Sequence, residues 1–241
     1  MKRTTFALSA AIASALLAVS AHADAAEADA GLYGTLRLGG SLLQDMDFAQ
    51  STTANLSLNS SAGWAVNGAL GYRFGGGLRT EFELGYGRNS LSGQFQENVQ
   101  LAIPCGTVPS SPCLSPNVNG RASALSGLGM LLYDLPVRGP LRPYAGVGAG
   151  LVNVDMDVGT RAMMNNGTFS RFDILNASDT VFGYRGTLGV SYGLGNTDLT
   201  FGYTYSSTAH MNVPGRGAFV AFDFNRRYTA HTLSAGVRLK F

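Results

Sequence analysis

Arg37, Arg73, Arg79, Glu81, Glu83, Arg185, Arg238 and Lys240 lie within segments that otherwise alternate apolar residues with small or polar ones, and all of them fall on the polar parity. Opposite charges enclosed along one face of a sheet can pair with one another into an internal network. They can also line a narrow, gated path for ions. A hydrolytic reading needs a nucleophile with an oriented base and acid. Here His210 sits beside Ser206 and Ser207 in a polar stretch, His231 falls on the apolar parity of its own segment, and no motif supplies the third member. The glycines of AGVGAG, Gly146, Gly148 and Gly150, imitate the start of a dinucleotide fingerprint. Leu151 occupies the third required glycine position and no helix follows, so they read instead as small inward residues making room for bulky neighbours. Nothing in the sequence calls for a cofactor, a metal or a catalytic residue.

The elements that carry these residues are strands. The final segment, HTLSAGVRLKF, sets Leu233, Ala235, Val237, Leu239 and Phe241 against Thr232, Ser234, Gly236, Arg238 and Lys240, a strand with one apolar face. GLYGTLRLGGSLL, GWAVNGALGYRF, LRTEFELGYG, VFGYRGTLGVSYGL and LTFGYTYS repeat the pattern. Two further strands, Ala122–Tyr133 and Arg142–Val154, are less cleanly phased, which brings the expected number to eight. The connections alternate in length. Gly75–Gly77, the DLPVRGP stretch and Gly195–Asp198 are short, whereas Gln44–Gly63, Arg88–Arg121, Asp155–Asp179 and Ser206–Arg227 are long and polar. The long connection before the last strand contains GAFVAFDF, read as a hairpin extending above the membrane rather than as an apolar docking patch.

Short and long connections in alternation are what an up-and-down transmembrane β-barrel shows, with tight periplasmic turns and long extracellular loops. The even strand number returns both ends to the periplasmic side. In that frame Trp64, Tyr86, Phe182, Tyr184, Tyr203 and Tyr205 form an outer aromatic girdle, and Tyr72, Phe74, Tyr192 and Phe241 a periplasmic one. No charge falls on the lipid face between the girdles in the six well-phased strands. A soluble lipocalin-like barrel would place polar residues outward instead. All the charges named above then face the lumen, and an eight-stranded lumen is just wide enough for side chains to fill. Arg37, Glu81 and Glu83 are expected at similar, roughly mid-membrane depth.

The N-terminus, MKRTTFALSAAIASALLAVSAHADA, has Lys2 and Arg3, an apolar run from Phe6 to Val19, and Ala21-His22-Ala23 as a small-x-small cleavage site. The run is shorter than the roughly 20 residues of a spanning helix, so residues 1–23 read as a cleaved signal peptide and 24–241 as a single barrel domain. Cleavage leaves 15 basic against 15 acidic residues, which gives no concentrated basic face for nucleic acid. Export to an oxidising compartment favours a disulfide between Cys105 and Cys113, closing a loop whose spacing matches no common metal site.

YDLPVRGPLRPYAGVGAGL, FGYRGTLGVSYGL and the terminal AHTLSAGVRLKF give the chain, from Gly31 to Phe241, a resemblance to the opacity-type, porin-family outer-membrane β-barrels of Gram-negative bacteria, relatives in architecture of the OmpA transmembrane domain. The resemblance implies an all-β, eight-stranded antiparallel barrel surrounded by outer-membrane lipid, with Phe241 as the signal read by the barrel-assembly machinery. The chain departs from OmpA in stopping at the barrel, without a peptidoglycan-binding domain. Enzymes occur among eight-stranded outer-membrane barrels, but the resemblance favours a non-enzymatic envelope protein whose loops are available for adhesion or host contact. A small porin is the alternative.

Overall fold

The computed structural model describes residues 30–44, 46–48, 54–97, 113–163, 169–216 and 221–241. Residues 1–23, expected above to be a signal peptide, and Cys105, expected to pair with Cys113, lie outside the described residues. Twelve strands are present there: β1 (Gly31–Leu43), β2 (Met46–Phe48), β3 (Ala54–Ser60), β4 (Gly63–Gly75), β5 (Leu78–Glu97), β6 (Cys113–Asp134), β7 (Leu141–Met163), β8 (Phe169–Leu194), β9 (Thr197–Thr208), β10 (Met211–Arg216), β11 (Ala221–Arg226) and β12 (Thr229–Lys240).

Eight of them close a barrel in the cyclic order β1-β4-β5-β6-β7-β8-β9-β12, each antiparallel to its neighbours, with β12 returning to β1. The seam registers Gly34 opposite Leu239 and Arg37 opposite Gly236. Closure removes the free sheet edge, which no lipid could satisfy. The turn between β4 and β5 puts Gly75, Gly76 and Gly77 at φ of 84°, 59° and 87°, and Gly195 turns the chain between β8 and β9 at 69°. Side chains with a Cβ rarely adopt that conformation, so these turns need glycine.

Alternation does what the sequence pattern implies. Leu36, Leu38, Leu70, Phe82, Leu84, Phe201 and Leu233 are exposed on the outer face, while Arg37, Ala69, Glu81, Glu83, Thr200 and Thr232 are buried inside. Trp64 meets Tyr86 with ring centroids 5.5 Å apart at one end of the band, and Tyr72 meets Phe74 at 4.9 Å at the other.

The two weakly phased strands are apolar on both faces. In β6, Leu125, Leu131 and Tyr133 point outward while Leu128, Met130 and Leu132 point inward; in β7, Val147 and Leu151 point outward while Val152, Val154, Met156 and Val158 point inward. Their registers set Leu128 opposite Gly150, Met130 opposite Gly148 and Leu132 opposite Gly146. A Cβ on Gly146 would stand 2.7 Å from Leu132, and one on Gly148 would collide with Met130. Gly146 and Gly148 are therefore recesses for Leu132 and Met130, and Gly150 makes room for the backbone of Gly127 and Leu128.

The long polar connections are mostly wall rather than loop. β5, β6, β7 and β8 run for 20, 22, 23 and 26 residues, against the roughly 9–11 residues that cross a bilayer. Beyond the membrane the outer face meets water while the inner face still buries Leu91, Val118, Ala122, Met156 and Val158, so the ladder of backbone hydrogen bonds continues with its polar side turned outward and without the lipid-facing apolar period to announce it. The outer wall carries its own ion pairs: Arg121 to Asp157 at 3.2 Å, Arg171 to Asp157, and Arg171 to Asp173 at 2.8 Å. The hydrogen bond to Asp173, with help from Asp157, holds the Arg171 guanidinium above its ordinary value. β10 and β11 pair antiparallel, with Met211 opposite Arg226 and Arg216 opposite Ala221, so the stretch before the last strand is a hairpin. Phe219 and Val220 of GAFVAFDF lie outside the described residues.

Candidate functional site

The lumen is divided lengthwise. The inner faces of β6 and β7 make a mainly apolar wall, interrupted by Ser126, Asp134 and Thr160, and the inner faces of β1, β4, β5, β8, β9 and β12 carry most of the charges and hydroxyls. Most of the charge lies on the polar wall, because the inward positions of β6 and β7 are largely taken by Leu, Met and Val; Asp134, at the end of β6, is the acid this side contributes.

The strands β1, β4 and β5 lie side by side, so inward residues of β1 and β5 reach each other over the small inward residues of β4, among them Ala65 and Ala69. Arg37 donates to Glu81 Oε2 at 2.5 Å and pairs with Glu83 at 3.3 Å. Arg79 donates to Glu81 Oε1 at 3.0 Å and to Asp134 Oδ1 at 2.7 Å, and Arg73 pairs with Asp134 at 3.2 Å. At the other end Arg185 pairs with Glu83, and its Nε donates to Ser206 Oγ at 2.9 Å. One unbroken chain of alternating charge results: Arg73, Asp134, Arg79, Glu81, Arg37, Glu83, Arg185. A second, shorter chain joins Arg238 to Asp198 at 3.3 Å and Asp198 to Lys240 at 2.6 Å.

Aromatic rings fill the space that remains. The Tyr33 hydroxyl donates to Glu81 at 3.0 Å, and the Arg79 guanidinium lies 5.5 Å from the ring centroids of both Tyr33 and Tyr144. Arg238 stands 5.3 Å from the Tyr33 ring. Such cation–π contacts are worth about 2 kcal/mol or more when desolvated. Tyr144 is seated over Gly189 and Gly202, where added Cβ atoms would come within 2.6 and 2.8 Å of it.

All the lumen charges named from the sequence are brought together in these two chains. The sequence reading missed the acids Asp134 and Asp198, which close them, and the inward rings Tyr33 and Tyr144. Asp134 sits at the boundary of a strand and a turn, and Asp198 beside a turn, where Asp is common for local reasons. The usable signal was parity: Asp198 shares the inward parity of Thr200, and Asp134 that of Leu132.

The other candidates are dispersed. His231 Nδ1 lies 2.6 Å from the Tyr203 hydroxyl on the outer face, whereas Ser206 accepts from Arg185 inside, and Ser207 bonds Thr229 at 3.1 Å. His210 is exposed. These groups do not converge. Among the described residues no cluster of three or more His, Cys, Asp or Glu could hold a metal.

Outward of Arg185 the lumen opens into a cavity of about 50 Å³ bordered by Ser41, Ser126, Thr204, Ser206 and Tyr228, room for a few waters. At the periplasmic mouth a cavity of about 350 Å³ is lined by Tyr33, Arg73, Arg142, Asn196, Lys240 and Phe241.

The profile of the outer membrane protein beta-barrel domain matches residues 11–241. The chain belongs to this family. It is 28% identical over 205 residues to an uncharacterized protein of Brucella abortus (strain 2308), covering 78% of this chain and 71% of that one. It is 26% identical over 209 residues to an outer membrane protein of Gluconacetobacter diazotrophicus, covering 79% of this chain and 50% of that one. Among solved structures it is similar to Neisserial surface protein A, with a TM-score of 0.49, 20% identity, and coverage of 89% of this chain and 100% of that one.

As a member of the outer membrane β-barrel family it resides in the outer membrane, and the apolar outer face between the girdles is its contact with lipid. The exposed Leu36, Leu70, Phe82 and Leu233 would be a liability in water and are the required surface in a bilayer.

Proposed function

We propose that the protein is a non-enzymatic surface barrel with a closed lumen, which contributes to envelope integrity and presents its tall extracellular wall and loops for adhesion or host contact. The observation that carries this reading is the lumen itself: alternating guanidinium and carboxylate groups, capped by Tyr33 and Tyr144, occupy the section where a conducting path would have to run. The extension of β5 to β8 beyond the girdles supports the second half of the reading, because it holds a broad hydrogen-bonded face clear of the membrane. The exposed Phe241 at the periplasmic rim supports a role as membrane-interface anchor and as the tag recognised by the barrel-assembly machinery. Removal of residues 1–23 as a signal peptide and a Cys105–Cys113 disulfide belong to the same reading of an exported protein.

Planar-bilayer conductance of the purified protein, run beside ligand and host-surface binding by cells with and without it, tests the proposal. Negligible conductance together with binding that depends on the protein is the expected result. A large, stable conductance, with binding unchanged by its loss, would favour the small-porin alternative.

A further inference from the structure

Each lumen ion-pair chain has one more cation than it has acids, and each ends on a cation at the same place. The longer chain starts at Arg73 and the shorter finishes at Lys240, and both residues line the periplasmic cavity together with Arg142. Arg142 makes no ion pair among the described residues and is half-buried. Even with the carboxylate of Phe241 counted against them, the lumen and its mouth hold more positive than negative charge. Surplus charge in a low-dielectric enclosure is costly unless it is compensated.

Hydrogen bonding gives a second, separate indication. Arg73 is buried to 5% exposure, and among the described residues its Nε has no partner, as is also true of Arg37, Arg79 and Arg238 deeper in the lumen. Buried donors of this kind normally find an acceptor. Of these arginines Arg73 lines the mouth cavity, and a negatively charged acceptor there would answer its guanidinium and reduce the surplus.

From these observations we infer that the periplasmic mouth is a binding site for a phosphate group, held by Arg73, Arg142 and Lys240. Two guanidinium groups and an ammonium suit a tetrahedral oxyanion with several acceptor oxygens, since Arg presents a planar fork of donors and Lys a point charge. The cavity leaves space for the group and part of its hydration. Asp134 and Asp198 keep Arg73 and Lys240 in place from the other side. The site rests on residues at the mouth and does not depend on what the extracellular face binds or on whether the lumen conducts.

The phosphate can come from solution or from a phospholipid headgroup of the inner leaflet, whose level coincides with this mouth. Arginine side-chain NMR of the folded barrel distinguishes the two. In one arm the protein sits in a non-ionic detergent and inorganic phosphate is titrated; in the other it sits in nanodiscs of a phosphate-free glycolipid into which increasing fractions of phosphatidylglycerol are introduced, without inorganic phosphate. Saturable movement of the Arg73 Nε–H resonance in the first arm establishes a soluble oxyanion. Saturable movement only as the phosphatidylglycerol fraction rises establishes the headgroup. Replacing Arg142 with Gln, which disturbs neither ion-pair chain, should weaken binding about tenfold in whichever arm responds, equivalent to one charge-assisted hydrogen bond. Arg88→Gln, on the exposed outer rim, should change nothing. No saturable movement in either arm would overturn the site, as would equal weakening by Arg142→Gln and Arg88→Gln.

Discussion

Glu81 is the most connected acid of the lumen, so its replacement by Gln is the sharpest test of whether the charge chain stabilises the barrel or merely occupies it. Its side chain is fully enclosed and accepts from Arg37, Arg79 and Tyr33 at 2.5, 3.0 and 3.0 Å. Gln conserves the volume, so no cavity term enters, and it keeps one acceptor oxygen. What is lost is the charge that neutralises two buried guanidinium groups. Breaking a buried pair from one side costs about 3–5 kcal/mol, because the surviving charge is stranded. A variant that also carries Arg37→Met removes one of the stranded cations and leaves Glu83 paired with Arg185 alone. The double variant should therefore be more stable than the two single losses added together, with a coupling of about 1–3 kcal/mol. Reversible urea unfolding of the barrel in lipid vesicles measures all three. If Glu81→Gln costs less than about 1 kcal/mol, or if the double variant is strictly additive, the chain is not the device that fixes the lumen.

Replacing both Glu81 and Glu83 with Gln should raise bilayer conductance with a preference for anions, since the lumen charge that remains is positive; unchanged conductance would mean that the rings, not the ion pairs, close the path. Gly148→Leu drives a side chain into Met130, and denaturant unfolding should register an overpacking loss of about 1–3 kcal/mol, whereas Gly68→Leu, on the lipid side with open space around it, should be nearly neutral. Deleting Phe241 should lower the outer-membrane yield while leaving the heat-dependent shift in gel mobility intact in whatever protein does insert; full yield would remove its role in assembly. Non-reducing mass spectrometry of exported protein should find Cys105 linked to Cys113, and Cys105→Ser should still insert; free thiols at both positions would refute the disulfide.

How far the sequence discloses this molecule depends on the solvent at each point of the wall. Where lipid lies on one side and a polar lumen on the other, as at Leu36 and Arg37 or Phe82 and Glu83, alternation has to be strict, and six strands can be phased residue by residue. In β6 and β7 the lumen side is itself apolar, so Leu128 beside Leu131 carries no parity signal, and the phase emerges only from the partners: Gly150, Gly148 and Gly146 recede where Leu128, Met130 and Leu132 project. Above the membrane the outer face is wet and the buried apolar residues, such as Val118, Ala122 and Val158, lie inside, so the lipid-facing pattern ends and the strands around Arg121, Asp157 and Arg171 read as loop. The lumen pairs show the same dependence. Arg37, Glu81 and Glu83 are visible because a charge within an apolar alternation has only one side to face. Asp134 and Asp198 are hidden because turns favour Asp for reasons of their own. Their cost is that a parity count alone leaves the lumen with a large positive excess; their presence reduces it to the ends of the two chains. That residue of charge at Arg73 and Lys240 is a product of topology, since the β4–β5 turn and the end of β12 bring both chain ends to one mouth, and no single strand contains enough of it to be read.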